Sequence, residues 1–393
     1  MIRKLSDSLT YIGTDDFSDS LFESQYNIPE GMSYNSYLVR DDRIAILDSS
    51  DIRTAEEWKA NLLEALDGAM PDYFVLHHME PDHSALIPWL AGQFPELRFV
   101  ATVKALQMIP QFYPGLDLQD RSIAVKEGDT LELGSRSLKF FMAPMVHWPE
   151  VMMSYETVGK VLFSADAFGK FGALSKCGYT STEDDDWACE ARRYYFNIVG
   201  KYGAPVQTVL KKLSGLEIST ICPLHGPVLM NDLGEYLRLY DIWSSYGVES
   251  EGVFVACASI HGNTLQVAEK FADMLREKGV KVAFNDLTRD DQAEAVEDAF
   301  RYGTLVLAAS SYDAGLFPPA AEFISHLQDK GWQNRRVGLI ENGSWAPSAG
   351  RVMKEKFAAM KNVTVLDPLV TIRSAYKESD RPALEALAAA VLA

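Results

Sequence analysis

Short apolar runs separated by turn clusters mark the first part of the chain: Ser36 to Val39, Ile44 to Leu47, Phe74 to Leu76, Phe99 to Thr102, Leu138 to Met142 and Val161 to Ser164. Their length and their β-branched and aromatic content predict strands. Between them, Trp58, Leu62 and Leu66 recur at four-residue spacing behind Thr54 and Glu57, which predicts an amphipathic helix opened by a capping box. Strands in hairpin-like pairs with helices interspersed predict two mixed sheets packed together and covered by helices. From about Glu251 the rhythm changes. Apolar runs Val253 to Cys257, Val280 to Phe284, Thr304 to Ala309, Val337 to Ile340 and Val363 to Leu366 alternate with helical segments beginning near Thr264, Asp290, Pro318, Ser348 and Pro382. A five-fold βα alternation requires crossover connections, and so predicts a parallel, doubly wound sheet. The polar stretch Ser244 to Gly252 separates the two patterns, giving expected domains 1–248 and 249–393.

Composition narrows the function. With 37 Lys+Arg against 55 Asp+Glu the formal charge is −18, so phosphate backbones and anionic membranes would be repelled. The N-terminal residues turn polar where a secretory signal needs an apolar run, and no stretch approaches the roughly 20 apolar residues of a membrane span. A cytoplasmic protein without nucleic-acid or membrane partners is expected. Cys177, Cys189, Cys222 and Cys257 are scattered, with no CxxC pair, which predicts mostly buried thiols rather than a disulfide framework or a metal knot.

Chemistry concentrates after the run ending at Leu76, where His78, Glu80, Asp82 and His83 place four ligand-type side chains in six positions. Any one of them fits a polar turn; four together point to metal. His147, Asp166 and His225 each close an apolar run further along, where a rigid sheet presents side chains to a common centre. His77, pointing the other way off an extended backbone, is expected to be structural.

In the second half, Ser259, Ile260, His261, Gly262, Asn263 and Thr264 link a strand to a helix whose apolar face is Val267, Phe271 and Leu275. Small and hydroxyl residues at a helix N-terminus leave donors free for a phosphate. The loop is neither GxGxxG nor GxxxxGK[ST], so dinucleotide and ATP binding are disfavoured; its form Ser259-x-x-x-Asn263-Thr264 resembles the phosphate loop of flavodoxin-type FMN sites. Two further strand-end loops, Ser310, Ser311, Tyr312, Asp313, Ala314, Gly315 and Asn342, Gly343, Ser344, Trp345, lie where backbone amides would reach the pyrimidine edge of a flavin, with Tyr312 or Trp345 against its ring.

The HxExDH loop followed at long intervals by His, Asp and His resembles the metallo-β-lactamase fold, whose zinc hydrolases carry histidine where this chain has Glu80. A carboxylate there moves a two-metal site toward iron. The words His147-Trp148-Pro149-Glu150, Leu162 to Gly169, Ser33 to Leu38 and His225-Gly226-Pro227 closely resemble the flavodiiron proteins, over the whole chain. Lys170-Phe171 departs from the Gln-His often found in that family. The resemblance implies an αββα metallo-β-lactamase-like sandwich followed by a flavodoxin-like five-stranded sheet. It assigns His78, Glu80 and His147 to one iron, Asp82, His83 and His225 to the other, and Asp166 to a bridge.

It further implies non-covalent FMN and reduction of O2 to water, NO to N2O, or both. Water formation needs four electrons, two from the irons and two from reduced flavin; joining two NO molecules needs two. Because the sequence closes at Ala393 with the fifth βα unit, the electrons are expected from a separate rubredoxin, a reduced deazaflavin or a reductase, and the family's head-to-tail homodimer or dimer of dimers is expected. The competing reading is a zinc hydrolase with a flavodoxin-like docking domain; a third is an electron carrier on a metal-free scaffold.

Overall fold

Alternation along the first strands decides which side chain meets which layer. Leu38, Ile44, Ile46 and Phe74 face the helices that carry Trp58, Leu62, Leu90 and Ile109, while Val39, Ala45, Leu47 and Val75 face a second sheet through Leu138, Phe140, Met152 and Phe163. The computed structural model describes residues 2–183 and 186–393. Its first compact unit, Met1–Asp241, holds a seven-stranded sheet in the order Arg3–Lys4, Leu9–Tyr11, Tyr37–Arg40, Ile44–Leu47, Tyr73–Val75, Arg98–Thr102, Ser122–Val125. The second sheet runs Thr130–Glu132, Ser137–Met142, Met152–Glu156, Val161–Phe163, Thr220–Cys222, Leu229–Met230. The helix Gly203–Leu213 lies along this second sheet, with Lys212 Nζ donating to the Met142 carbonyl at 2.8 Å. This is the αββα sandwich.

The helix Ala55–Leu66 buries Trp58, Leu62 and Leu66 as its spacing requires, but its start differs from the expectation. Thr54 makes no side-chain cap bond, so there is no capping box. Its hydroxyl is taken up by Thr14, Ser50 and the Asp51 carbonyl, and Asp51 instead caps the preceding turn Ile52–Thr54 by accepting from the Arg53 amide. Tertiary hydroxyl partners outcompete the local cap.

The second unit, Ile242–Ala393, is a parallel sheet ordered Val282–Asp286, Ser250–Ala258, Tyr302–Tyr312, Arg335–Asn342, Val363–Val365. Helices fill both faces, and the strand order reverses beside Ser250–Ala258, which puts the switch point at the C-terminal ends of that strand and Tyr302–Tyr312. The run expected from Val363 to Leu366 forms the strand Val363–Val365, and a further short strand not anticipated, Val370–Ile372, also pairs with Arg335–Asn342; Pro368 between them has no amide to donate. The polar stretch after Ser244 is anchored in this unit: Arg335 donates to the Tyr246, Gly247 and Phe300 carbonyls, and Trp243 Nε1 to Glu249 at 2.6 Å. The compact units meet at Asp241/Ile242, within the helix Leu233–Ser244 and a few residues before the boundary 248/249 expected from the polar stretch. Cys222 and Cys257 are buried, Cys177 and Cys189 half-buried, and none forms a disulfide. Among the described residues no helix is long and apolar enough to cross a membrane.

Candidate functional site

The strand Tyr73–Val75 lies inside its sheet, so the loop leaving its C-terminal end is held from both sides. His77 locks the loop's base: Nδ1 lies 2.6 Å from Asp48 Oδ2 and Nε2 2.7 Å from Ser154 Oγ, tying one sheet to the other. As expected from its position, it faces away from the cluster. His78 faces in, and the short helix Pro81–Ser84 turns Asp82 and His83 toward the same point. His147, Asp166 and His225 reach it from loops that follow three strands of the second sheet.

All seven side chains named from residue type converge, in two groups. His78, Glu80, His147 and Asp166 present atoms within 4.8 Å of one another, and so do Asp82, His83 and His225. Asp166 joins the groups: Oδ2 lies 3.1 Å from His147 Nε2 and 3.4 Å from His78 Nε2, while Oδ1 lies 3.2 Å from His83 Nε2 and 3.7 Å from His225 Nε2. Glu80 Oε2 sits 3.1 Å from both His78 and His147.

The electrostatics follow. Burial would raise the Asp166 carboxyl, yet the surrounding imidazoles of His78, His147 and His83 hold it well below the usual carboxylate range. Burial likewise opposes charge on His147, but Asp166 and Glu80 raise it to about 9. In the absence of a cation, protons on imidazole offset the crowded carboxylates, which is the charge balance of a site built for positive ions. A second observation agrees: Asp82 Oδ1 and Oδ2, Asp166 Oδ1, His83 Nε2 and His225 Nε2 are buried without a hydrogen-bond partner. Orphaned donors and acceptors of this kind are costly unless something else binds them.

Three supporting partners were given no role in the sequence reading, although Glu150 and Ser33 stand in the words that carry the resemblance. His78 Nδ1 lies 2.7 Å from Glu150 Oε1, which also accepts the Met79 amide; His225 Nδ1 donates to the Ser33 carbonyl at 2.7 Å; and Asp48 accepts the His77 amide. Glu150 and the Ser33 carbonyl fix their rings so that Nε2 faces the cluster, whereas Asp48 fixes His77, whose Nε2 meets Ser154. Replacing Glu150 by Gln keeps the shape and removes the charge, so metal affinity should fall roughly 10–100-fold, measured by chelator competition; unchanged affinity would show that Glu150 does not orient His78. Around His225 the rings of Phe22, Tyr34 and Tyr194 stand 5.4, 5.9 and 5.6 Å away, and Phe171 closes on Tyr194 at 5.2 Å. Phe171 thus contributes an apolar wall at a position where the sequence departs from the wording it otherwise resembles.

In the second unit a cavity of about 360 Å3 opens at the switch point. Ser259, Ile260, His261, Asn263, Thr264, Ser311, Tyr312, Asp313, Ala314, Asn342, Gly343, Ser344 and Trp345 line it, as does Ser310. Gly262 and Gly315 do not. Gly262 shapes the turn instead, in the left-handed region at φ +86°, its amide bonded to Ser259 Oγ; Gly315 closes a small ribbon with Tyr312 and accepts from Ser348 Oγ. The helix Asn263–Arg276 directs its N-terminal amides at the cavity. Ala346 and Ser348, further along the loop that begins at Asn342, also line it, as does Ser374, which was not anticipated; Ser374 exchanges two hydrogen bonds with Asn342 across the loops. Trp345 is 89% and Tyr312 45% exposed at the rim.

Comparison with known proteins agrees with both units. The family model described as ODP family beta lactamase matches residues 32–226. The anaerobic nitric oxide reductase flavorubredoxin of Pectobacterium atrosepticum is 26% identical over 351 residues, covering 88% of this chain and 68% of that protein. The rubredoxin oxygen:oxidoreductase of the anaerobe Desulfovibrio gigas superposes with a TM-score of 0.93 at 22% identity, over 100% of this chain and 98% of that one. The flavodiiron protein of Giardia intestinalis does so at 0.90 and 24% identity, covering 100% and 96%.

Proposed function

We propose that the chain is a flavodiiron protein, an oxidoreductase that reduces O2 to water, NO to N2O, or both. The observation that carries this reading is Asp166, one buried carboxylate with an oxygen turned to each histidine pair. In it, His78, Glu80 and His147 hold one iron, Asp82, His83 and His225 the other, and Asp166 lies between them; the orphaned polar atoms fit two cations. FMN takes the second-domain cavity, its phosphate at Ser259 to Thr264, its pyrimidine edge toward Asp313, Ala314 and Asn342 to Ser344, and its ring against Tyr312 or Trp345. When bound, the irons supply Lewis acidity and electrons, and the flavin supplies one-electron transfer.

The chain's own residues prepare that chemistry. Glu150 and the Ser33 carbonyl hold two imidazoles in the tautomer with Nε2 inward, and His77 keeps the loop rigid between the sheets. The buried aromatic rings of Phe22, Tyr34, Tyr194 and Phe171 lower the local dielectric around His225, which strengthens the charge interactions there. The zinc-hydrolase reading is not favoured, because Glu80 stands in place of a histidine and the named relatives are reductases. The seven convergent ligands weigh equally against a metal-free scaffold.

A rubredoxin, a reduced deazaflavin or a reductase would deliver the electrons: the four cysteines lie apart, and an iron–sulfur relay needs clustered thiolates. Oxygen uptake with NADH or NADPH alone is expected to be slow, and rapid once rubredoxin and its reductase are added; rapid uptake by the protein alone would refute this. A head-to-tail homodimer, or a dimer of dimers, in the cytoplasm completes the reading. Exposed Trp345, Tyr312 and Ile260 at the cavity rim offer apolar surface for a second copy to cover. Full turnover by a strictly monomeric preparation would exclude electron transfer between subunits.

Metal and flavin analysis of the purified protein, then anaerobic turnover with each gas, tests the assignment. About two irons per chain, by ligand count, and non-covalent FMN are expected. Stoichiometric zinc without iron after growth in iron-replete medium would overturn it.

A further inference from the structure

Beside the ligand cluster, a crevice of about 210 Å3 opens on the surface of the first domain. Glu80 and Asp82 line its inner end, and Asp19, Glu23 and Asp51 line it toward solvent. One cation, Arg53, lies among them. Its guanidinium pairs with Asp16 at 2.8 Å, Asp19 at 2.9 Å and Asp51 at 3.3 Å, and donates to Tyr34 Oη at 2.7 Å. Asp82 is only 7% exposed, and neither of its carboxylate oxygens has a hydrogen-bond partner. An orphaned, buried carboxylate at the end of an acidic crevice is placed to receive a cation.

Surface carboxylates do little for the substrates of the proposed reaction. O2 and NO carry no net charge and gain nothing from an acidic mouth, whereas a divalent cation is drawn by every carboxylate it passes. The crevice therefore matches the charge of the metal rather than that of the gas.

We propose that this crevice is the route by which ferrous ions load the two ligand groups. Asp19, Glu23 and Asp51 collect the hydrated dication, Asp82 is the first side chain to ligate it, and Arg53 is the electrostatic latch that the ion must pass. The inference rests on the diiron reading above and concerns how the site is filled, which that reading leaves open.

The test follows metal capture rather than catalysis. The full-length chain, stripped of metal by chelation without air and retaining its flavin, is mixed with Fe2+ alone, and separately with Co2+ alone, whose visible absorption reports ligation. Glu23 sits on an exposed hairpin tip whose one side-chain hydrogen bond described is to neighbouring Gln25, so its variants should fold. Glu23→Gln should slow capture about 3- to 10-fold at low ionic strength, Glu23→Lys more, and Arg53→Gln should speed it by a similar factor, as expected for electrostatic steering. These differences should shrink in high salt, since the mouth is open to screening, and the final stoichiometry should not change. Circular dichroism and flavin content verify the fold of each variant, and the Glu23 pair decides the matter if Arg53→Gln misfolds. Capture rates alike in the parent and both Glu23 variants, or differences indifferent to salt, would overturn the route while normal stoichiometry left the metal centre standing. Failure of the parent chain to take up the metal pair at equilibrium would overturn the diiron reading, and the route with it.

Discussion

Asp166→Ala is expected to cut gas turnover by at least about 100-fold, more than the roughly 10–100-fold that loss of a supporting partner costs a metal site, while FMN stays bound and the fold persists. The side chain is 1% exposed and, among the described residues, is the one carboxylate within 4 Å of His78, His83, His147 and His225 alike. Without it two cations would share no anionic ligand, and their mutual repulsion in a buried site would be uncompensated. Iron analysis beside the visible flavin spectrum gives the answer. Iron at the parent level with turnover intact would show that Asp166 is not the bridge, and loss of FMN from a folded variant would show that the two sites are not separate.

The reciprocal result is expected of Asn263→Asp. Asn263 opens the helix Asn263–Arg276 and lines the second-domain cavity, so the new carboxylate would sit where the flavin phosphate is expected. A free helix N-terminus tolerates an acid well, and the fold should survive. Against a phosphate dianion the same charge costs several kcal/mol, so FMN should bind about 100-fold more weakly or be absent after purification. Iron content should be unaffected. Fluorescence titration of the flavin-free protein measures the loss, and parental affinity would move the phosphate away from this loop.

Side-chain identity made the metal centre legible and hid its support. His78, Glu80, Asp82, His83, His147, Asp166 and His225 could be named because ligand types are few and strand ends are where a sheet presents them. Glu150 and Ser33 stand in the words that carry the resemblance, but their role could not be read: each lies far along the chain from the ring it orients, and Ser33 acts through a backbone carbonyl that every residue possesses. Likewise Ser374 meets the flavin cavity only because Asn342 and the strand Val370–Ile372 bring it there.

What the sequence determined by itself is therefore the local and the periodic. Alternation of two placed Leu38 and Val39 on opposite faces, βα repetition set the parallel sheet, and the strand-to-helix turn at Ser259 to Thr264 set a phosphate loop, because these depend on neighbours along the chain. The tertiary structure alone decided which residues share a partner across tens or hundreds of positions. It gave the Thr54 hydroxyl to Thr14 and Ser50 in place of a helix cap, tied Tyr246 and Gly247 to the second unit through the buried guanidinium of Arg335, and turned one oxygen of Asp166 to each histidine pair. Such choices are settled by which groups desolvation leaves unpaired once the layers pack, a competition that no window of sequence contains.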